Sequence, residues 1–350
     1  MKIKFFDPGK GYNKIRKEIL AETERVLSAG DLILRGDVAK FEKSVAKFVG
    51  VKYCVALNSC TDALYLVLRG LKIGPRDEVL VPSRTFVASA QVIVQVGATP
   101  VYYDLDGAFK ISEKTKAIIP VHIEGAFDSH FKTIMKLAKK KGWHVIEDAA
   151  QAFGATWNGK KAGSFGIAGC FSFYPAKTLG AFGDAGALVT NNKKLYEWVK
   201  GARNHFKEDA RDWGVNSRLD NLQAAFLNIK LEFYKGALAR RKEIAGIYDR
   251  ELEGLPIKLP DWPKGRIWQD YIIRLPDRDL LFNFLKEKGI ETMKNNYPFP
   301  VPKLPLAQAY ENETLRLPCN ENLEDEEVKE VILEIKSFFN FKEIGRILND

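Results

Sequence analysis

From residue 53 onward the chain alternates short apolar runs with amphipathic stretches, and this alternation restricts the fold more than any other feature. Runs at 53–57, 78–81, 101–104, 117–121, 144–147 and 187–190 are too short for helices and read as buried strands. Helix-like stretches at 62–71, 86–95 and 131–141 lie between them. Strands that are apolar throughout need cover on both faces, which intervening helices supply, so the pattern predicts a mostly parallel sheet in an α/β domain. An amphipathic helix over 12–27, closed at Gly30, opens the chain, and a long helix over 219–252 follows the last strand. Past Gly254 the texture changes, with Pro256, Pro260, Pro263 and Pro276 punctuating short elements. The predicted division is a large domain over 1–230 and a smaller C-terminal α/β domain over 231–350.

Composition narrows the class. At 350 residues and 46% hydrophobic, the chain has the apolar content for a large core, which excludes disorder. The net charge is +9, spread along the chain; the densest run, Lys139 to Lys141, ends a predicted helix where cations suit the dipole. It reads as a solvated face, not a nucleic-acid surface. The four cysteines and four histidines show no metal-ligand spacing, so no metal is expected. Residues 1–10 lack the apolar core of a signal peptide, and no run approaches a membrane span. A soluble cytoplasmic protein is the expectation.

Two residues carry chemistry. Asp148 follows the apolar run 143–147, at the carboxyl end of a predicted strand, where open α/β sheets bind ligands. An Asp there could equally cap the next helix. The segment 169–177, read as an apolar, aromatic strand, delivers Lys177 beside a glycine-rich stretch, a setting that desolvates an amine and makes it nucleophilic. A lysine for a Schiff base and a carboxylate for a pyridinium nitrogen are parts that pyridoxal phosphate needs. Asn58-Ser59-Cys60-Thr61 would add amides and hydroxyls for its phosphate at a helix start, although the same tetrapeptide could be an ordinary N-cap. Ser172 could donate to the same phosphate.

These residues stand in motifs. Glu147-Asp148-Ala149-Ala150-Gln151-Ala152, Phe171-Ser172-Phe173-Tyr174-Pro175-Ala176-Lys177 and Gly183-Asp184-Ala185-Gly186 resemble the DegT/DnrJ/EryC1/StrS aminotransferases. Further matches, among them Val81-Pro82-Ser83-Arg84-Thr85-Phe86 and Gly214-Val215-Asn216-Ser217-Arg218, extend the resemblance over nearly the whole chain. It implies a fold-type I enzyme with a seven-stranded sheet and a smaller C-terminal domain. It also implies site roles. Lys177 would bind the cofactor and shuttle a proton, Asp148 would hold the pyridine nitrogen protonated, Gln151 would lie near the ring oxygen, and Phe86 would cover the ring. Cys60, Thr61 and Ser172 would surround the phosphate, with Asn216 arriving from the partner of a homodimer with shared sites and Arg218 beside it at the substrate. Phe86 could instead be core, and Arg218 an interface ion pair.

The family likeness implies an aminotransferase moving nitrogen from an amino acid, glutamate foremost, to a nucleotide-linked ketosugar. A 4-keto-6-deoxyhexose ranks first as acceptor and a 3-keto sugar second. A sugar-nucleotide dehydratase or a non-catalytic sensor on the same fold is the alternative, and the presence of Lys177 weighs against both. Four departures from the family pattern stand out: a short segment between Asp104 and Lys114, Glu124 where an aromatic is usual, Thr178 where Asn is common, and Pro302 where His is frequent.

Overall fold

The computed structural model describes residues 2–294, 301, 302 and 304–347; residues 297–300 of the proline-rich stretch that leads to Pro302 lie outside them. Three helices open the chain: α1 (Pro8–Lys14), α2 (Arg16–Ala29) and α3 (Gly36–Val49). Then come β1 (Tyr53–Leu57), α4 (Cys60–Gly70), β2 (Glu78–Pro82), α5 (Val87–Gln95), β3 (Thr99–Tyr103) and β4 (Thr115–Ile118). They are followed by α6 (Phe131–Lys141), β5 (His144–Asp148), the small hairpin β6 (Thr156–Trp157) and β7 (Lys160–Lys161), β8 (Ala168–Ser172) and β9 (Gly186–Thr190). The remainder is α7 (Lys193–Ala202), α8 (Asn221–Leu252), β10 (Tyr271–Arg274), α9 (Arg278–Glu287), β11 (Met293–Lys294), α10 (Pro305–Glu313), β12 (Thr314–Leu317) and α11 (Asp325–Ile347).

The central sheet has seven strands in the order β1-β9-β8-β5-β4-β2-β3, with β9 antiparallel to both its neighbours and the other pairings parallel. One face packs α4, α5 and α7 through Leu64, Val67, Ile93 and Val199; the other packs α3 and the first half of α8 through Phe41, Val45 and Leu227. This two-sided cover is what the continuous apolar runs require. A separate three-stranded antiparallel sheet, β10-β12-β11, builds its own core with the second half of α8, α9 and α11 around Ile244, Tyr248, Tyr271 and Val331. Helix α8 runs unbroken through residue 231 and serves both cores.

The opening differs from the expected single helix. Ile15, at φ −126°, breaks it into α1 and α2, and α3 is an additional element whose Val38, Phe41, Val45 and Val49 fall at helical spacing on its buried face. The segment 169–177 is likewise not one strand. Strand β8 ends at Ser172; the Phe173 amide donates to the Ala185 carbonyl and the Ala181 amide to the Phe173 carbonyl, so the chain turns away from the sheet before Lys177.

Candidate active site

Register brings distant residues to one sheet edge. Leu57 stands opposite Gly186, Gly186 opposite Ser172, and Cys170 opposite Asp148, so the carboxyl ends of β1, β8 and β5 converge with the start of β9. The end of β5 is anchored by the fully buried Glu147, which accepts from the amides of Gly163, Phe165 and Gly166 at 2.7–2.8 Å. His122 Nδ1 accepts from the Asp128 amide at 3.2 Å, which leaves the ring proton on Nε2 to donate to Glu147 at 3.1 Å. His122 is therefore structural. Asp148, next in line, turns into the site and accepts from Ser89 Oγ at 2.6 Å and the Ala150 amide at 3.1 Å. Because Ser89 spends its proton on Asp148, Thr85 Oγ1 is the donor in the 2.8 Å contact between the two hydroxyls, giving a relay of hydrogen bonds from Thr85 through Ser89 to the carboxylate.

Lys177 sits on a turn, its amide donating to the Tyr174 carbonyl at 2.8 Å. The turn is held from the smaller sheet's side by Gln269, which accepts from the Thr178 amide at 3.1 Å and donates to the Ala176 carbonyl at 3.0 Å. Tyr234 OH donates to the Phe153 carbonyl at 2.5 Å, so Thr178 Oγ1 donates to Tyr234 at 2.7 Å. The Lys177 ammonium has no hydrogen-bond or ion-pair partner among the described residues. Burial pushes its pKa below the ordinary lysine value; Asp270, Asp148 and Cys60 oppose that shift, and Arg316 reinforces it. Asp270 and Arg316 are themselves paired at 3.1 Å.

The third component is the start of α4. Ser59 caps it, its hydroxyl accepting from the Asp62 amide at 3.1 Å, which leaves the Cys60 and Thr61 amides at the first helical positions without an intrahelical acceptor. The Cys60 thiol is buried 3.9 Å from Asp148 Oδ1; burial, then the nearby carboxylate, push its pKa well up, so it is neutral packing and no nucleophile. Gly186 is required here by space: a Cβ on it would overlap the Ser59 carbonyl carbon. Ser172 lies on the neighbouring strand end, its hydroxyl accepting from the Tyr174 amide at 3.3 Å.

The other expected site residues are placed as follows. Gln151, half-buried, accepts from the Glu124 amide at 2.7 Å. Phe86 caps α5 and is 53% exposed, which sets aside the reading of it as core. Asn216 is exposed, while its neighbour Ser217 donates to Asp62 at 2.7 Å and accepts from the Asn58 amide at 3.2 Å. Arg218 donates to Asn204 at 2.9 Å and forms no ion pair among the described residues. Neither Asn216 nor Arg218 hydrogen-bonds to Asp148 or Lys177. Sequence reasoning missed Ser89, Thr85, Asp270, Gln269 and Arg316. Ser89 is one of two polar residues in the mostly apolar 87–94 stretch, and Thr85 stands in the motif that ends at Phe86; nothing local marked the other three.

Pyridoxal phosphate fits this donor set. A desolvated amine stands ready for its aldehyde, a hydrogen-bonded carboxylate for its ring nitrogen, and two first-turn amides with the Thr61 and Ser172 hydroxyls for its phosphate. No group of three or more potential metal ligands occurs among the described residues, and no described helix is long and apolar enough to cross a membrane.

Known proteins agree with this chemistry. Residues 13–336 match the model of the DegT/DnrJ/EryC1/StrS aminotransferase family. The UDP-N-acetyl-3-dehydro-alpha-D-glucosamine 3-aminotransferase of Acidithiobacillus ferrooxidans is 38% identical, the match covering 92% of this chain and 94% of that one. The UDP-2-acetamido-2-deoxy-3-oxo-D-glucuronate aminotransferase of Pseudomonas aeruginosa is 37% identical, covering 91% and 92%. In three dimensions the chain superposes on S. venezuelae DesV, solved with a ketimine intermediate, at a TM-score of 0.90 and 35% identity over 96% of this chain and 98% of that one. With Lys177, Asp148 and the α4 amides gathered at one sheet edge, the chain belongs to the DegT/DnrJ/EryC1/StrS family and is a pyridoxal phosphate dependent aminotransferase of fold type I.

Proposed function

We propose that the protein moves the amino group of an amino acid, L-glutamate, to the carbonyl carbon of a nucleotide-linked ketosugar in two half-reactions at one site. The observation that carries this reading is Lys177, whose amine is desolvated, held at a lowered pKa and left without a partner among the described residues. When bound, the cofactor supplies an electron sink conjugated to the reacting carbon. Lys177 Nζ, with no other partner among the described residues, would be the base that takes up the proton lost from the donor's α-carbon and the acid that returns it. Asp148, oriented by Ser89 and Ala150, holds the proton on the ring nitrogen. Gln151, whose Oε1 is occupied by the Glu124 amide, presents its Nε2 donor to the ring oxygen.

For the acceptor, the two curated relatives above both carry names with a C3 carbonyl on a UDP-linked sugar, which favours the 3-keto acceptor over the 4-keto-6-deoxyhexose that ranked first on sequence. The reading includes a homodimer with shared sites, in which Asn216 and Arg218 serve the partner's cofactor. Leu20 and Leu27 on α2 are half-exposed apolar side chains and Trp213, three residues before Asn216, is 87% exposed, a surface that a second subunit would cover. The deciding experiment is incubation with glutamate and a panel of 3-keto and 4-keto sugars on UDP and dTDP, with products read by mass spectrometry. An aminated UDP-linked 3-keto sugar is expected. Glutamate that converts the bound cofactor while every ketosugar is returned unchanged would overturn the acceptor class.

A further inference from the structure

The charged side chains of two residues beside the site serve none of the steps above. Arg84 lies on the loop after β2 and Glu124 on the loop after β4; they form an ion pair with side chains only 9% and 8% exposed. Tyr310 of α10 lies against the Arg84 guanidinium, 4.0 Å from charge centre to ring centre. Burial pulls the Arg84 pKa down, Tyr310 and Glu311 oppose this, and Arg316 and Arg266 add to it. A buried pair of this kind is no more stabilising than apolar residues of the same volume, so its stability contribution does not account for it.

What the pair touches does. Glu124 has φ +60°, a left-handed backbone that costs a side-chain-bearing residue on the order of 1 kcal/mol or more. Three contacts hold it there. Its carboxylate meets Arg84, its carbonyl accepts from Arg266 Nη2 at 3.4 Å, and the next carbonyl, of Gly125, accepts from the Ile267 amide at 2.9 Å. Gly125 itself admits no side chain, because a Cβ would overlap the Ile267 carbonyl. The fixed conformation aims the Glu124 amide at Gln151 Oε1, 2.7 Å away. An amide N–H only donates, so Oε1 must face it, and Nε2 with its two hydrogens is turned the other way; no described residue accepts from it.

We infer that the Arg84–Glu124 ion pair is a positioning device for Gln151: by locking the backbone of residue 124 it sets which end of the Gln151 amide meets the cofactor's ring oxygen. The inference rests on the reading of Gln151 under the proposed function. Breaking the pair alone would strand a buried charge, so the test uses the neutral double variant Arg84→Met/Glu124→Gln, together with Gln151→Ala and the triple variant. Each protein is loaded with pyridoxal phosphate, and the pH midpoint of its visible absorbance change is measured beside its Tm. The double variant should move the midpoint in the same direction as Gln151→Ala, by about half a pH unit, the scale of one hydrogen bond. In the Gln151→Ala background the double change should move it no further, while its effect on Tm, whatever its sign, should be the same in both backgrounds. A midpoint that moves with Gln151→Ala but not with the double variant would overturn the positioning role alone. So would a full additional shift in the triple variant. A midpoint unmoved by Gln151→Ala would overturn the role of Gln151 and the positioning role with it.

Discussion

Replacing Asp148 by Asn probes the electron sink most directly, and the structure sets the size of the effect. The carboxylate is 5% exposed and accepts from Ser89 Oγ on one oxygen and the Ala150 amide on the other. An Asn keeps the shape, and one oxygen can still accept from Ala150. Its NH2 then faces Ser89, whose hydroxyl must turn and give its proton to Thr85 in place of Asp148. Thr85 and Ser89 already share a hydrogen bond that can then run the other way, and Thr85, being half-buried, can turn its own proton to solvent. Stability should change by no more than about 1 kcal/mol, the net worth of one such bond.

Chemistry should respond quite differently. A neutral amide cannot balance the charge of a protonated ring nitrogen, and losing a preorganised electrostatic partner costs roughly 100- to 1000-fold in rate. The assay is the single-turnover bleaching of the visible band by glutamate in stopped flow. Asp148 also raises the Lys177 pKa, so the measurement belongs above the proton-release midpoints of both proteins, where the amine is neutral in each. Ser89→Ala, which removes the shortest of the carboxylate's hydrogen bonds, should fall between, at about 10-fold. Asp148→Asn protein that retains cofactor and bleaches within about threefold of wild type would refute the reasoning, since that is far below the scale for such a partner.

Three further outcomes are expected. Gly186→Ala, at a position with ordinary φ but no room for a methyl, should push the α4 amides out of place and weaken pyridoxal phosphate binding by about tenfold or more, read by equilibrium dialysis; unchanged affinity would show that this approach is not needed. Asp270→Asn removes the largest influence holding the Lys177 pKa up, so the pH profile of cofactor incorporation into the apoprotein should move to lower pH, and an unmoved profile would remove Asp270 from the control of this amine. Because this lysine is depressed in the folded state, the unfolded chain binds the extra proton; stability should rise with pH through the window between the two pKa values, and that rise should begin at lower pH in the variant. Lys177→Ala protein and Asn216→Ala/Arg218→Ala protein, each inactive alone, should regain roughly a quarter of wild-type activity after refolding together, because half the random dimers are mixed and hold one intact site; no recovery after verified subunit exchange would place both segments in one subunit's site.

The parts of the site that were legible are those where function and local sequence coincide. Asp148 ends an apolar run, and a carboxylate at such a strand end is visible without knowing the neighbours. Lys177 was legible as a residue but not as a conformation: the aromatic run through Phe171 and Phe173 looks like continuing strand, and only the bond from the Ala181 amide back to the Phe173 carbonyl shows that the chain has turned out of the sheet before the lysine. Helix α3 had its signal in the spacing of Val38, Phe41 and Val45, which short-window reading passed over. Thr85 stood unremarked inside a motif beside Phe86, whereas Asp270, Gln269 and Arg316 had no local signal. These three reach the site through register within the smaller sheet and its packing on the lysine turn, and neither is written in any one window of sequence.

Lys177 shows why that second group matters to the chemistry. Burial alone would drive its pKa down and release its proton early, and the residues that temper this are not on its own segment. Asp148 and Cys60 come from the large sheet's edge, whereas Asp270 is carried just before β10 and is coupled to Arg316 on β12. Gln269, adjacent to Asp270, grips the lysine turn at both Ala176 and Thr178. One short segment of the smaller sheet therefore fixes both where the amine stands and how readily it gives up its proton. A change that loosened Gln269 would displace Asp270 as well, so position and basicity of Lys177 are set together by residues some ninety positions further along the chain.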